Sequence, residues 1–312
     1  MRVVDAHLHC AAGSAGILLR ALDLAEIDGA VILAFPGQGE RLLDEVRGLA
    51  PERLRVLVSP VLELAGRAWE AELAEIDRLL PHAAGVKLYK DANFGVRNHC
   101  GARVSLLSPE LEPLWAIAAA HGKPVLVHCA DPLDFWRRTP RLRARQLEVY
   151  PENRYRGSRT VPSRRSMIRA RDELLRRQPA VRFVGAHLGG FPATPAELAR
   201  FLALGPADTS AALEEVLTFD RPEVDRVLRR HERGVMWGSD LILGAQPPGS
   251  ERAAVMMSAK FLADSLRLAT AAGPVHAPAS RDCPWTAPGL HLSGSLGEAV
   301  LGGNALRTYW QR

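Results

Sequence analysis

Apolar runs alternate with amphipathic stretches eight times along this chain, and that rhythm limits its fold more tightly than any other feature. The runs, at 3–6, 30–35, 54–61, 85–89, 124–128, 181–186, 207–210 and 235–238, read as buried strands, the seventh more weakly than the rest. Helical patterns lie near 15–27, 39–49, 66–80, 109–121, 162–178, 195–204, 221–232 and 251–272. Strict βα alternation predicts an α/β chain whose eight parallel strands close into a (β/α)8 TIM barrel, one domain over residues 1–312. A doubly wound sheet would alternate too, but it usually carries a glycine-rich phosphate loop after its first strand. Here that place holds HLHCAAGSAG, which lacks the GxGxxG spacing.

Three segments exceed a minimal barrel: 91–108 after the fourth strand, 130–161 after the fifth, and 273–293 before the last helix. The first two follow strand C-termini, the face where such barrels build active sites, so they read as pocket walls or a lid. Cys10, Cys100, Cys129 and Cys283 are scattered with no CxxC pair, which argues against both a zinc ribbon and a disulfide scaffold. MRVVDAHLHC enters directly into a strand without a signal-peptide core, and no run reaches the roughly 18 apolar residues of a membrane span. The expectation is a cytoplasmic protein with no membrane partner. The net charge of +5 is small for 312 residues, although basic residues crowd between Arg137 and Arg177. Nucleic acid would call for a groove of interleaved basic and aromatic residues; much of this charge reads as solvated helix surface, and no nucleic-acid partner is expected.

Chemistry concentrates at the strand ends. Asp5-Ala6-His7-Leu8-His9 closes the first run, and alternation along a strand turns His7 and His9 the same way. Taken alone, the pair suits a metal grip and two satisfied core histidines equally well. His128 ends the fifth run, His187 the sixth and Asp240 the eighth, so four strand ends send ionisable groups into one barrel mouth. Burying that many groups without a shared partner is costly. A divalent cation is such a partner; neutral imidazole and carboxylate suit Zn2+, with Mn2+ or Fe2+ as alternatives.

DAHLH, GVKLYK, PVLVHC, AHLGG and WGSD, followed by Leu301-Gly-Gly-Asn304-Ala305-Leu306-Arg307, resemble the landmarks of the amidohydrolase superfamily, in its amidohydrolase-2 branch of lactone hydrolases and aminocarboxymuconate-semialdehyde-type decarboxylases. The resemblance spans residues 4 to 309. It implies one metal ion held by His7, His9, His128 and Asp240, with His187 beside it in proton transfer or substrate polarisation. It also implies a homodimer.

Lys87 and Tyr89 share one face of the fourth strand. Lys87 is read as a substrate-facing ammonium; a carbamate bridging two metals, or a lysine paired with a barrel acid such as Asp240, are the alternatives. Arg97 in the first inserted segment, and Trp136 and Arg159 in the second, suit a small anionic, flat substrate. Cys10 and Cys129 adjoin ligand histidines but face away, as packing thiols. The expected activity is metal-assisted hydrolysis of a C–N, ester or lactone bond, with Asp240 and His187 as catalytic groups. Non-oxidative decarboxylation of a small carboxylic acid on the same site is the alternative.

Overall fold

The alternation becomes a parallel sheet. The computed structural model describes residues 1–65, 68–98, 101–137, 154–276 and 286–311. Segments 138–153 and 277–285 lie outside the described residues, as do His99, Cys100 and Cys283. The strands are β1 (Val4–Cys10), β2 (Gly29–Leu33), β3 (Leu54–Val58), β4 (Gly85–Leu88), β5 (Pro124–Val127), β6 (Arg182–Gly185), β7 (Ala207–Asp208), β8 (Val235–Met236) and β9 (Ile242–Leu243). They neighbour one another in chain order from β1 to β8, while β9 lies on the free side of β1. Because β9 continues the β8 segment, that pairing closes the ring. The seam is stitched by Ala6 N–H to Trp237 O (2.9 Å), Asp240 N–H to His7 O (2.9 Å) and His9 N–H to Leu241 O (2.7 Å). The result is the eight-stranded TIM-barrel fold, with β9 as an unanticipated extension.

Helices follow the strands: α1 (Ala15–Leu24), α2 (Gly39–Leu49), α3 (Trp69–Leu79), α4 (Glu112–Ala120), α5 (Arg164–Arg177), α6 (Pro195–Leu202), α7 (Arg221–Arg230) and α8 (Glu251–Thr270). Their starts follow local chemistry. Ser163, Thr194 and Asp220 each accept the N–H three residues on, and proline stands in the first turn of α6 and α7. No helix among the described residues is long and apolar enough to cross a membrane.

Two apolar layers form. Leu8, Ile32, Val56, Val86 and Val125 pack outward against the helices. Val4, Ala6, Val31, Leu33, Leu57 and Leu126 fill the barrel, where Ala305 and Tyr309 of the last helix (Asn304–Tyr309) join them. The Asn304 side chain donates to the carbonyls of Glu232 and Val235, both at 2.6 Å, which fastens this tail to the start of β8. The GGNALR motif is thus a structural clasp. With the N-terminal half of the bore filled, polar groups can gather only at the C-terminal mouth.

Candidate metal centre

A bulge aims the two histidines of β1. Between Asp5 and Leu8 the strand takes three steps while β2 takes two. Val4 and Ala6 therefore face the bore, and after the bulge His7 and His9 do so as well. Asp5 is sealed at the bulge, where its Oδ1 accepts the N–H groups of both His7 and Ser239 at 3.0 Å. Burial pushes its carboxyl up to about 7. Across the seam, Asp240 adopts a left-handed backbone (φ 63°) and turns its carboxylate towards both rings. Its Oδ1 lies 3.3 Å from His7 Nε2 and 3.4 Å from His9 Nε2. This close approach needs Gly238, because a Cβ there would sit 2.8 Å from His7 Cβ. One ligand atom from each of His7, His9 and Asp240 falls within 4.8 Å of the others, a candidate metal site.

The partners of the outer ring nitrogens decide what the inner ones present. His7 Nδ1 meets Asp208 Oδ2 at 2.8 Å, so it donates. His9 Nδ1 meets the Tyr89 hydroxyl at 2.9 Å; that hydroxyl donates to Ala34 O (3.1 Å), so it accepts from His9. His128 Nε2 donates to Asp131 Oδ1 at 2.8 Å, and His187 Nδ1 donates to Ser210 O at 2.8 Å. A neutral imidazole carries a single proton. Each of these four histidines therefore turns a lone pair inward, at Nε2 of His7, His9 and His187 and at Nδ1 of His128. Two of these lone pairs face Asp240 Oδ1, and two face one another across 2.9 Å between His128 and His187. His7 Nε2 is buried without a hydrogen-bond partner.

Lone pairs converging on a carboxylate repel one another unless a cation or protons intervene. Protons are disfavoured on three of the four rings: burial pulls His9 down to about 4, and likewise lowers His128 and takes His187 well below the usual imidazole range. His7 is also opposed by burial, but the Asp208 carboxylate raises it. Burial works to raise Asp240, yet its contacts with the His7 and His9 side chains hold it well below an ordinary carboxyl. Neutral imidazoles with an ionised carboxylate are the donor set a divalent ion takes, so the residues fit a metal.

His187 sits in an unusual turn. From His187 to Phe191 every residue has positive φ, and a Cβ on Gly189 would overlap the Phe201 ring. Two buried arginines of α5 hold this turn. Arg171 donates to Gly189 O and lies over Phe201 (4.5 Å), while Arg164 donates to the carbonyls of Gly190 (3.0 Å) and Phe191 (2.6 Å). Phe191 stacks on the His187 ring at 4.6 Å.

Among the other residues singled out from sequence, Lys87 is 1% exposed, with its ammonium 5.5 Å from the centre of the Tyr89 ring. Burial pulls it down to about 8, against the raising influence of Asp208 and Asp240. Tyr89 holds His9. Trp136 donates to Pro162 O (2.9 Å) and packs on Tyr155. Arg97 is exposed and donates to Gly101 O (2.6 Å) within its own loop; Arg159 is exposed too. The structure brings His7, His9 and Asp240 into one cluster and sets His128 and His187 beside it as a pair. Sequence reasoning passed over Asp208, Ser210 and Asp131. A polar end on the weak seventh strand, and an acid three residues after His128, were the available signals.

A search among curated proteins finds no match to this chain. Solved structures share its fold. One is an amidohydrolase assignment from Staphylococcus aureus (11% identity, TM-score 0.57), and another a probable 2-pyrone-4,6-dicarboxylic acid hydrolase from Acinetobacter baumannii with citric acid bound (11%, 0.54). A third is an amidohydrolase from Burkholderia multivorans with bound zinc (14%, 0.53). Each alignment covers 100% of both chains. The amidohydrolase family model matches residues 4–310, nearly the whole chain, and with that the protein belongs to the amidohydrolase family.

Proposed function

We propose that the protein is a zinc-dependent hydrolase that opens a C–N, ester or lactone bond in a small anionic or cyclic substrate. The observation that carries this reading is the set of inward lone pairs on His7, His9, His128 and His187 beside ionised Asp240. His7, His9, Asp240 and His128 would hold the ion. Bound there, it supplies Lewis acidity and a water whose pKa falls from about 15.7 towards 7. Asp240, whose side chain keeps 19% exposure, faces the mouth in ionised form, so it can take a proton and return it to the leaving group. With its Nδ1–H given to Ser210 O, His187 offers a lone pair, so it accepts a proton before it can donate one. Lys87 supplies a buried positive charge for a carboxylate or a developing oxyanion. The zinc-bound and dicarboxylate-hydrolase relatives named above support the choice of metal and of an anionic substrate.

Elemental analysis of the purified protein is the test. About one zinc per chain, lost in a His7→Ala/His9→Ala variant, supports the centre and justifies a screen of lactones, amides and aromatic carboxylates. Absence of metal after reconstitution refutes it. Release of carbon dioxide from a carboxylate, with no lactone or amide turned over, would replace hydrolysis by decarboxylation.

A further inference from the structure

We propose that Asp131 and Tyr155 are positioning residues that commit His128 to offer Nδ1, and not Nε2, to the metal centre. The inference rests on the reading of His128 as a ligand. His128 lies just past β5, and its ring could present either nitrogen after a half-turn about its last side-chain bond. Asp131 settles the choice, because its Oδ1 takes Nε2–H at 2.8 Å and leaves only Nδ1 facing inward, towards His187 Nε2. The other Asp131 oxygen accepts the Tyr155 hydroxyl at 2.8 Å, with the Lys90 ammonium at 3.7 Å. Asp131 (5% exposed) and Tyr155 (8%) are both buried, so their bonds face little competition from water.

Tyr155 is itself fixed from three sides. Its N–H donates to Phe135 O at 2.8 Å, and its ring lies 4.8 Å from Trp136 and 5.6 Å from Phe94 between centroids. Phe94 in turn meets His128 edge-on at 5.8 Å. The segment inserted after β5 therefore reaches the metal centre through two hydrogen bonds in series, Tyr155 to Asp131 and Asp131 to His128. Partners of this kind orient a ligand ring and fix its tautomer, and losing one typically weakens metal binding about 10–100-fold.

Zinc affinity, measured by competition with a chromogenic chelator, tests this without a substrate. His128→Ala should weaken binding most, Asp131→Asn about 10–100-fold, and Tyr155→Phe by less, since it removes one oxygen and keeps the aromatic packing. If His128→Ala weakens zinc while Asp131→Asn and Tyr155→Phe bind as the wild type does, the positioning role is wrong and the metal reading stands. If His128→Ala binds zinc normally, His128 is not a ligand and that reading fails with it. Nitrogen-15 spectra of the zinc-loaded wild type need no variant: the His128 ring should keep its proton on Nε2 and show the metal-shifted signal at Nδ1. The reverse pattern would overturn the proposal.

Discussion

Single atoms govern the centre. Gly238 has a negative φ, so its requirement is space, and a methyl group there meets His7 Cβ at 2.8 Å and His7 N at 3.2 Å. Gly238→Ala should cost about 1–3 kcal/mol in urea unfolding and should also weaken zinc, because the atoms it displaces belong to a proposed ligand. A loss of stability with unchanged zinc affinity would show that the strain is relieved elsewhere. Lys87 makes a prediction of opposite sign. Burial lowers its folded pKa to about 8, whereas in the unfolded chain it titrates near ~10.4. The unfolded state binds more protons between those values, so Lys87 contributes a penalty that is full below pH ~8 and gone above ~10.4. In metal-free protein, Lys87→Met should therefore be more stable at pH 7 by up to about 3 kcal/mol, a gap that narrows as the pH rises through 8 to 10. Urea midpoints at pH 7 and 10 check it. A constant gap would mean that the stability gain comes from packing alone.

At the scale of elements, the arginines read as solvated helix surface divide in two. Arg176 and Arg177 are indeed exposed, paired with Glu173. Arg164 and Arg171, on the same helix, are buried and support the carbonyls of the His187 turn. Arg171→Met keeps the bulk over Phe201 but leaves Gly189 O without its donor and Asp172 with only the longer Arg200 contact (3.6 Å), so it should cost about 3 kcal/mol. A urea midpoint equal to the wild type's would show water replacing the guanidinium. The same division marks what could be read from sequence. Strands, helices and the cluster of His7, His9 and Asp240 follow from periodicity and from where polar residues end apolar runs. Asp208 was hidden because its partner His7 is 201 residues away, and no local period reports such a pairing. The β1 bulge, the left-handed turn and β9 escaped for a related reason. Each exists because a neighbouring strand or helix satisfies its backbone, which is a property of the closed barrel and not of a window of sequence.

For the molecule as a whole, the centre lies on the seam where the chain's two ends close the sheet. His7 and His9 stand on β1, Asp240 stands between β8 and β9, and backbone hydrogen bonds join the two sides at Ala6, His9 and Asp240. Both sides have unfavourable features: a bulge in β1, positive φ at Asp240 and a short β8 of two residues. Residues held in sparsely populated backbone regions cost about 1–3 kcal/mol each and persist only when their surroundings hold them in place. A cation shared across the seam would do this holding, since opening the barrel there would separate its ligands. Binding to the folded state alone stabilises it by RT ln(1 + [L]/Kd), about 4 kcal/mol at a thousandfold excess over Kd. Stripping zinc with a chelator should therefore lower the Tm, and readdition should restore it. The loss should be uneven. Amide exchange should quicken most in β1 and across 235–243, less in β5, and least in β2 and β3, which carry none of the proposed ligands. Uniform acceleration would point to general destabilisation. No change at the seam would mean that backbone pairing suffices to close the barrel, leaving the ion with a chemical role only.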